Sequence, residues 1–182
     1  MKSIQRIPMS KTALKKYLAE LKKKDLELQI LDLYGRFPVV KTYYDFVFNP
    51  KEEQIIQEAK RKVSNEYFPL RRKRARARRS LAHKYIKHFT TLGMDPFLLG
   101  EFMIFNLETA QRYSKNQRVN EGFYKSMLRS YKEAIHYLVL HSLINEFRDR
   151  ILLFYKGTQQ QDWFFQEEFG QLLEVIEMNE QR

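Results

Sequence analysis

The chain has 182 residues, 43% of them hydrophobic and 30% charged, which is enough to bury a core and too hydrophobic for a chain that stays unfolded. It contains no Cys, excluding a disulfide framework, a thiolate metal site and a cysteine nucleophile, and only 6 Gly and 5 Pro, too few turn residues for a sheet of many short strands. Its 33 Lys and Arg against 22 Asp and Glu give a net charge of +11, and residues 58–90 alone hold 12 of the basic side chains and 2 of the acidic ones.

Residues 1–9 read as an N-terminal tail with two cations and no apolar signal segment. No stretch approaches 18 consecutive apolar residues, so the expected location is the cytoplasm, with no membrane partner. Ser10 caps a first helix whose Leu14, Tyr17, Leu18 and Leu21 recur at three and four positions, leaving Lys15, Lys16, Lys22 and Lys23 on the other face. Asp25 reads as the cap of a second helix through Leu26, Ile30, Leu33 and Tyr34, with Gly35 at its C-terminal end. Residues 39–48, rich in Tyr43, Tyr44, Phe46 and Phe48, fit a strand or a buried helix by periodicity, and the helix is preferred.

Asn49, Pro50 and Glu52 form a cap, first-turn proline and returning carboxylate for a helix lined by Ile55, Ile56, Ala59 and Val63 as far as Tyr67, with Pro69 beyond it. Ser80 is the candidate cap of the next helix, which carries Leu81, Ala82, Tyr85, Ile86 and Phe89 and closes at Gly93. Asp95-Pro96 opens a segment apolar on most faces, with Phe97, Phe102, Phe105 and Leu107, that should lie at the centre of the fold. Residues 114–120 read as a loop, Phe123 to Val139 as a long helix broken near His141-Ser142, and Leu143 to Tyr155 as a helix ended by Gly157. Trp163 should anchor the C-terminal segment, whose Leu172, Leu173 and Ile176 sit at helical spacing. The expectation is an all-α single domain of about seven to nine helices packed as antiparallel helical hairpins, spanning residues 10–165 with a basic segment at 70–80 and a C-terminal helix or tail at 166–182.

The basic segment is the strongest signal outside the core. Arg71, Arg72, Lys73, Arg74, Arg76, Arg78 and Arg79 repel one another and would surround every face of a helix. Arginines just ahead of a helix N-terminus also meet the positive end of its dipole, an arrangement that a bound phosphate makes favourable. Lys84 and Lys87 supply further donors, and Tyr67, Phe68 and Tyr85 could stack on bases or sugars. The segment is therefore either a solvated charged linker or a polyanion contact without sequence specificity, and pairing with the protein's own carboxylates would remove the need for an outside anion.

Chemistry of other kinds finds little support. Glu133 and His136 make one Glu-x-x-His pair where a di-iron bundle needs two with two further glutamates, so a helix-surface pair is the expectation. His83 with His88, and His136 with His141, are spaced off a common helical face. There is no glycine-rich phosphate loop, nucleophile elbow or His-Glu-x-x-His pattern.

Five phrases together carry a resemblance: Ser10-Lys-Thr-Ala-Leu-Lys-Lys-Tyr-Leu, Leu31-Asp-Leu-Tyr, Tyr44-Asp-Phe-Val-Phe-Asn-Pro-Lys-Glu, Tyr85-Ile-Lys-His-Phe and Phe105-Asn-Leu-Glu-Thr-Ala-Gln. They resemble a family of small bacterial proteins of unknown function, from about Ser10 to about Trp163. The resemblance implies a cytosolic, all-helical protein and brings no catalytic, metal or ligand residue with it. The expected function is non-enzymatic polyanion binding, to RNA or DNA backbone, without metal or cofactor. The alternative is a protein-interaction scaffold using a helical groove or the C-terminal amphipathic tail, and an enzyme with a scattered site comes third.

Overall fold

The computed structural model describes residues 10–71 and 74–180, with backbone alone for 175–180. The tail expected at 1–9 lies outside the described residues, as do Arg72 and Lys73. Among the described residues there are nine α-helices and no strand: α1 (Lys11–Glu20), α2 (Lys23–Arg36), α3 (Pro38–Phe48), α4 (Glu52–Tyr67), α5 (Arg79–Leu92), α6 (Pro96–Ser114), α7 (Glu121–Leu140), α8 (Ile144–Gln160) and α9 (Gln166–Glu180). They fall into two compact units, residues 1–50 and 51–182.

The first unit holds α1 to α3. The Ser10 hydroxyl accepts a hydrogen bond from the Ala13 amide at 3.1 Å and starts α1 as the sequence predicts. α2 begins before Asp25, because the Lys22 carbonyl already accepts from the Asp25 and Leu26 amides, and it runs through Gly35 to Arg36. α2 packs on α3, and the Tyr34 hydroxyl donates to Asp45 at 2.9 Å between them. The aromatic stretch is a helix, with Phe46 as the one buried hydrophobic residue of this unit among the described residues.

The second unit is built around α6, which packs against α4, α5, α7 and α8. Asp95 caps it through the Leu98 amide at 3.0 Å, Pro96 occupies its first turn, and it buries Leu99, Phe102, Met103, Ile104, Leu107 and Ala110. Burial of each of these side chains other than Ala110 stabilises the fold by roughly 1.5–3 kcal/mol. α4 starts later than Asn49 suggests, because the Asn49 amide bonds back to the Asp45 carbonyl and closes α3 instead. α5 ends at Gly93, whose left-handed φ of 72° suits glycine. α8, by contrast, continues past Gly157 to Gln160. There the glycine makes room for a neighbour: Gln111 donates to the Phe154 carbonyl at 2.7 Å, and a Cβ on Gly157 would lie 2.8 Å from that amide. Trp163 is buried among Phe123, Tyr124, Phe154 and Phe169, so the start of α9 is fixed to α7 and α8.

Candidate polyanion interface

The candidate interface lies between α4 and α5, at residues 68–71 and 74–78, and one residue ties it down at its base. Glu66, in the last turn of α4, has a side chain only 5% exposed. Its carboxylate accepts two hydrogen bonds from Arg78, from Nε at 2.8 Å and from a terminal nitrogen at 3.2 Å. Its carbonyl accepts the amides of Arg76 and Ala77, both at 3.1 Å. Ala77 turns through a left-handed φ of 50° to make this return, a conformation that costs a residue with a Cβ about 1 kcal/mol. At the other end, the Leu70 amide donates to the Asn65 side chain at 3.1 Å. Both limbs of the loop are therefore held to the end of α4.

Arg79 opens α5 and points into the protein. Its terminal nitrogens donate to the Tyr67 hydroxyl at 3.1 Å, to Asn106 Oδ1 at 3.0 Å and to Ser130 Oγ at 2.7 Å. Asn106 and Ser130 are both buried. Ser130 Oγ also lies 2.9 Å from His83 Nε2, and with Arg79 donating to that oxygen, the hydroxyl proton is available to a neutral His83. Burial, and then the nearby Arg79 charge, hold the pKa of His83 below its usual value.

Of the seven basic residues from 71 to 79, Arg78 and Arg79 are thus engaged by the protein itself. Part of the expected repulsion is relieved internally, by Glu66 for Arg78 and by three neutral acceptors for Arg79. The macrodipole contributes in the same direction, because the loop leaves the negative end of α4 as well as approaching the positive end of α5. Arg71, Arg74 and Arg76 are exposed and make no ion pair among the described residues. Lys84 and Lys87 are exposed on α5.

Two clefts flank the loop. The larger, about 790 Å³, is lined by Phe68, Tyr67, Tyr113, Arg74, Asn116 and Gln117, among others. The smaller, about 460 Å³, is lined by Arg61, Ser64, Asn65 and Arg71, with Phe68 and Leu70 common to both as the ridge between them. Leu70 is 93% exposed and Phe68 38%. The Arg112 guanidinium lies over the Phe68 ring at 4.7 Å, and Tyr113 meets that ring edge-on at 6.2 Å. Exposed guanidinium groups thus lie beside an exposed aromatic ring.

Residues 9–177 match a family of unknown function. The chain belongs to DUF6155. The match extends past Trp163, where the sequence resemblance ends, and takes in most of α9. Neither a curated protein nor a solved structure matches the chain. In this DUF6155 protein no helix among the described residues is long and apolar enough to cross a membrane. No group of three or more His, Asp or Glu among those residues could hold a metal, and Glu133 pairs with Arg129 at 3.0 Å on the surface of α7. Of the three aromatics read as stacking candidates, Phe68 is exposed, Tyr67 is buried, and Tyr85 is half-buried against Phe89 and Phe102. Sequence reasoning missed Arg61, Arg112, Tyr113, Asn116 and Gln117. Arg112 and Tyr113 lie more than thirty residues from the loop, in the last turn of α6, and only the packing of α6 on α4 brings them to it.

Proposed function

We propose that this DUF6155 protein is a non-enzymatic binding protein that holds a polyanion, nucleic-acid backbone above all, on the loop between α4 and α5. The observation that carries the reading is the division of labour within the basic run. Arg78 and Arg79 secure the loop, whereas Arg71, Arg74 and Arg76 face solvent with no ion-pair partner among the described residues. Like charges kept together on a tethered loop repel unless an anion sits between them, and a loop already held in place loses little entropy when it binds. Lys84 and Lys87, exposed on the helix that follows, extend the positive surface.

The test is the binding of fluorescent oligonucleotides by the full chain at several salt concentrations, beside the variant Arg71→Ser, Arg74→Ser, Arg76→Ser. The wild type should bind, and the variant should bind more weakly with a slope of log affinity against log salt shallower by about 2, at roughly 0.7 per lost contact on a single strand. Equal binding by the two proteins would overturn the reading.

A second reading, a scaffold that engages another protein, draws on the first unit. There Leu28, Leu31, Val39 and Phe48 are all exposed, Phe48 by 82%. Ile30, Leu31, Tyr34, Tyr44 and Phe48 line an apolar groove of about 490 Å³ between α2 and α3.

A further inference from the structure

We infer that the larger cleft beside the loop is a nucleobase pocket, so that the polyanion is a single strand with its bases turned out. The inference rests on the polyanion reading and adds the class of ligand to it. Three observations carry it, all within the second unit.

The first is the ridge. Phe68 is shared by the two clefts, and Arg112 lies over its ring at 4.7 Å, so an aromatic and a planar guanidinium are layered where the clefts meet. Such a pair is the platform on which unpaired bases stack, because every base has a π face. The second is the far wall. Asn116 and Gln117 bring two carboxamides to the larger cleft, exposed and without a side-chain hydrogen bond among the described residues. Each amide offers donors and an acceptor, the pattern that complements the edge of a base. A surface built for phosphate alone would use cations there. The third is the placement of charge: Arg74 lines the larger cleft, and Arg71 and Arg61 line the smaller one across the ridge. Cations therefore lie on both sides of Phe68, the order in which a strand with a base against that ring would present its phosphates. A volume of about 790 Å³ lies within the ordinary range of small-ligand sites, roughly 300–1,000 Å³, and accommodates a base with its sugar. Duplex bases, stacked and paired, cannot enter it.

The experiment compares the full chain's affinity for labelled mixed-sequence 12-mers of single-stranded RNA, single-stranded DNA, the corresponding duplex, and an abasic strand of equal charge. Both single strands should bind at least about tenfold more tightly than the duplex and the abasic strand, and the two single-strand arms show whether the 2′-hydroxyl matters. Phe68→Ala should cut single-strand affinity about tenfold and leave duplex and abasic binding unchanged. Phe68→Leu, which keeps apolar bulk and removes the stacking face, should do the same, so that a folding defect in the alanine variant does not decide the matter. Equal affinity for all four ligands, or no effect of either Phe68 substitution, would overturn the base pocket. If the three-arginine variant still weakens every ligand in that case, the polyanion reading survives alone. If it weakens none, the polyanion reading has failed first.

Discussion

Arginines 71 and 79 share a chemical type and a sequence neighbourhood and do opposite things. Arg79 supplies donors to Tyr67, Asn106 and Ser130, and all three acceptors belong to buried residues on other helices. Removing it leaves buried oxygens without a donor, which costs more than the net value of the bonds themselves. Arg79→Ala should therefore lower stability by about 2 kcal/mol, read as a shift in the urea midpoint at constant m-value. Arg71→Ser, on an exposed side chain without such partners, should stay within about 0.5 kcal/mol of the wild type. The run of seven basic residues was legible as a cluster, since charge is written in composition. Which members face inward was not, because Asn106 and Ser130 lie 27 and 51 residues away in sequence.

Between helices, His83 on α5 and Ser130 on α7 meet at 2.9 Å, and the contact is sensitive to protons. Burial first, then the positive charge of Arg79 and, more weakly, Arg129, depress the pKa of His83, while Glu133 opposes them. The unfolded chain, with an ordinary histidine pKa of about 6.5, therefore takes up a proton before the folded one does as pH falls. Its contribution to stability is complete above about pH 6.5 and is lost on acidification toward the folded value, at no more than about 1.4 kcal/mol per pH unit. Chemical unfolding at pH 7.5 and 5.5 should show a larger loss for the wild type than for His83→Gln. Periodicity and caps placed most of the helices correctly, including the central α6 between Asp95 and the polar stretch after Ser114. They failed where a residue with a local preference was used for something distant. Gly157 suits a helix end by propensity, yet it serves the approach of Gln111 from α6, and Asn49 caps the helix behind it rather than the one ahead.

At the scale of the molecule, the two units differ in how they treat apolar side chains. Among the described residues, the buried hydrophobic side chains other than Phe46 lie in residues 51–182, and the first unit leaves Leu28, Leu31, Val39 and Phe48 exposed. An apolar surface of that kind, rimmed by Glu27 and Asp45, is the usual mark of a contact surface. If it serves one, Leu31→Glu with Phe48→Glu should abolish any concentration-dependent association of the wild type seen by sedimentation, while oligonucleotide affinity stays within about twofold because the basic loop belongs to the second unit. Absence of association in both proteins would leave the scaffold reading without support from self-contact.

The tether at Glu66 separates what added electrolyte can reach from what it cannot. Its carboxylate is almost wholly enclosed, as is the Ser130 that receives Arg79, whereas Arg71, Arg74 and Arg76 stand in the ion atmosphere, where charges are screened over about 8–10 Å at ordinary ionic strength. If the loop holds a strand as proposed, potassium chloride should strip it long before it slackens the scaffold that presents those guanidinium groups. Capture at low ionic strength and elution at moderate ionic strength would then form a reversible cycle.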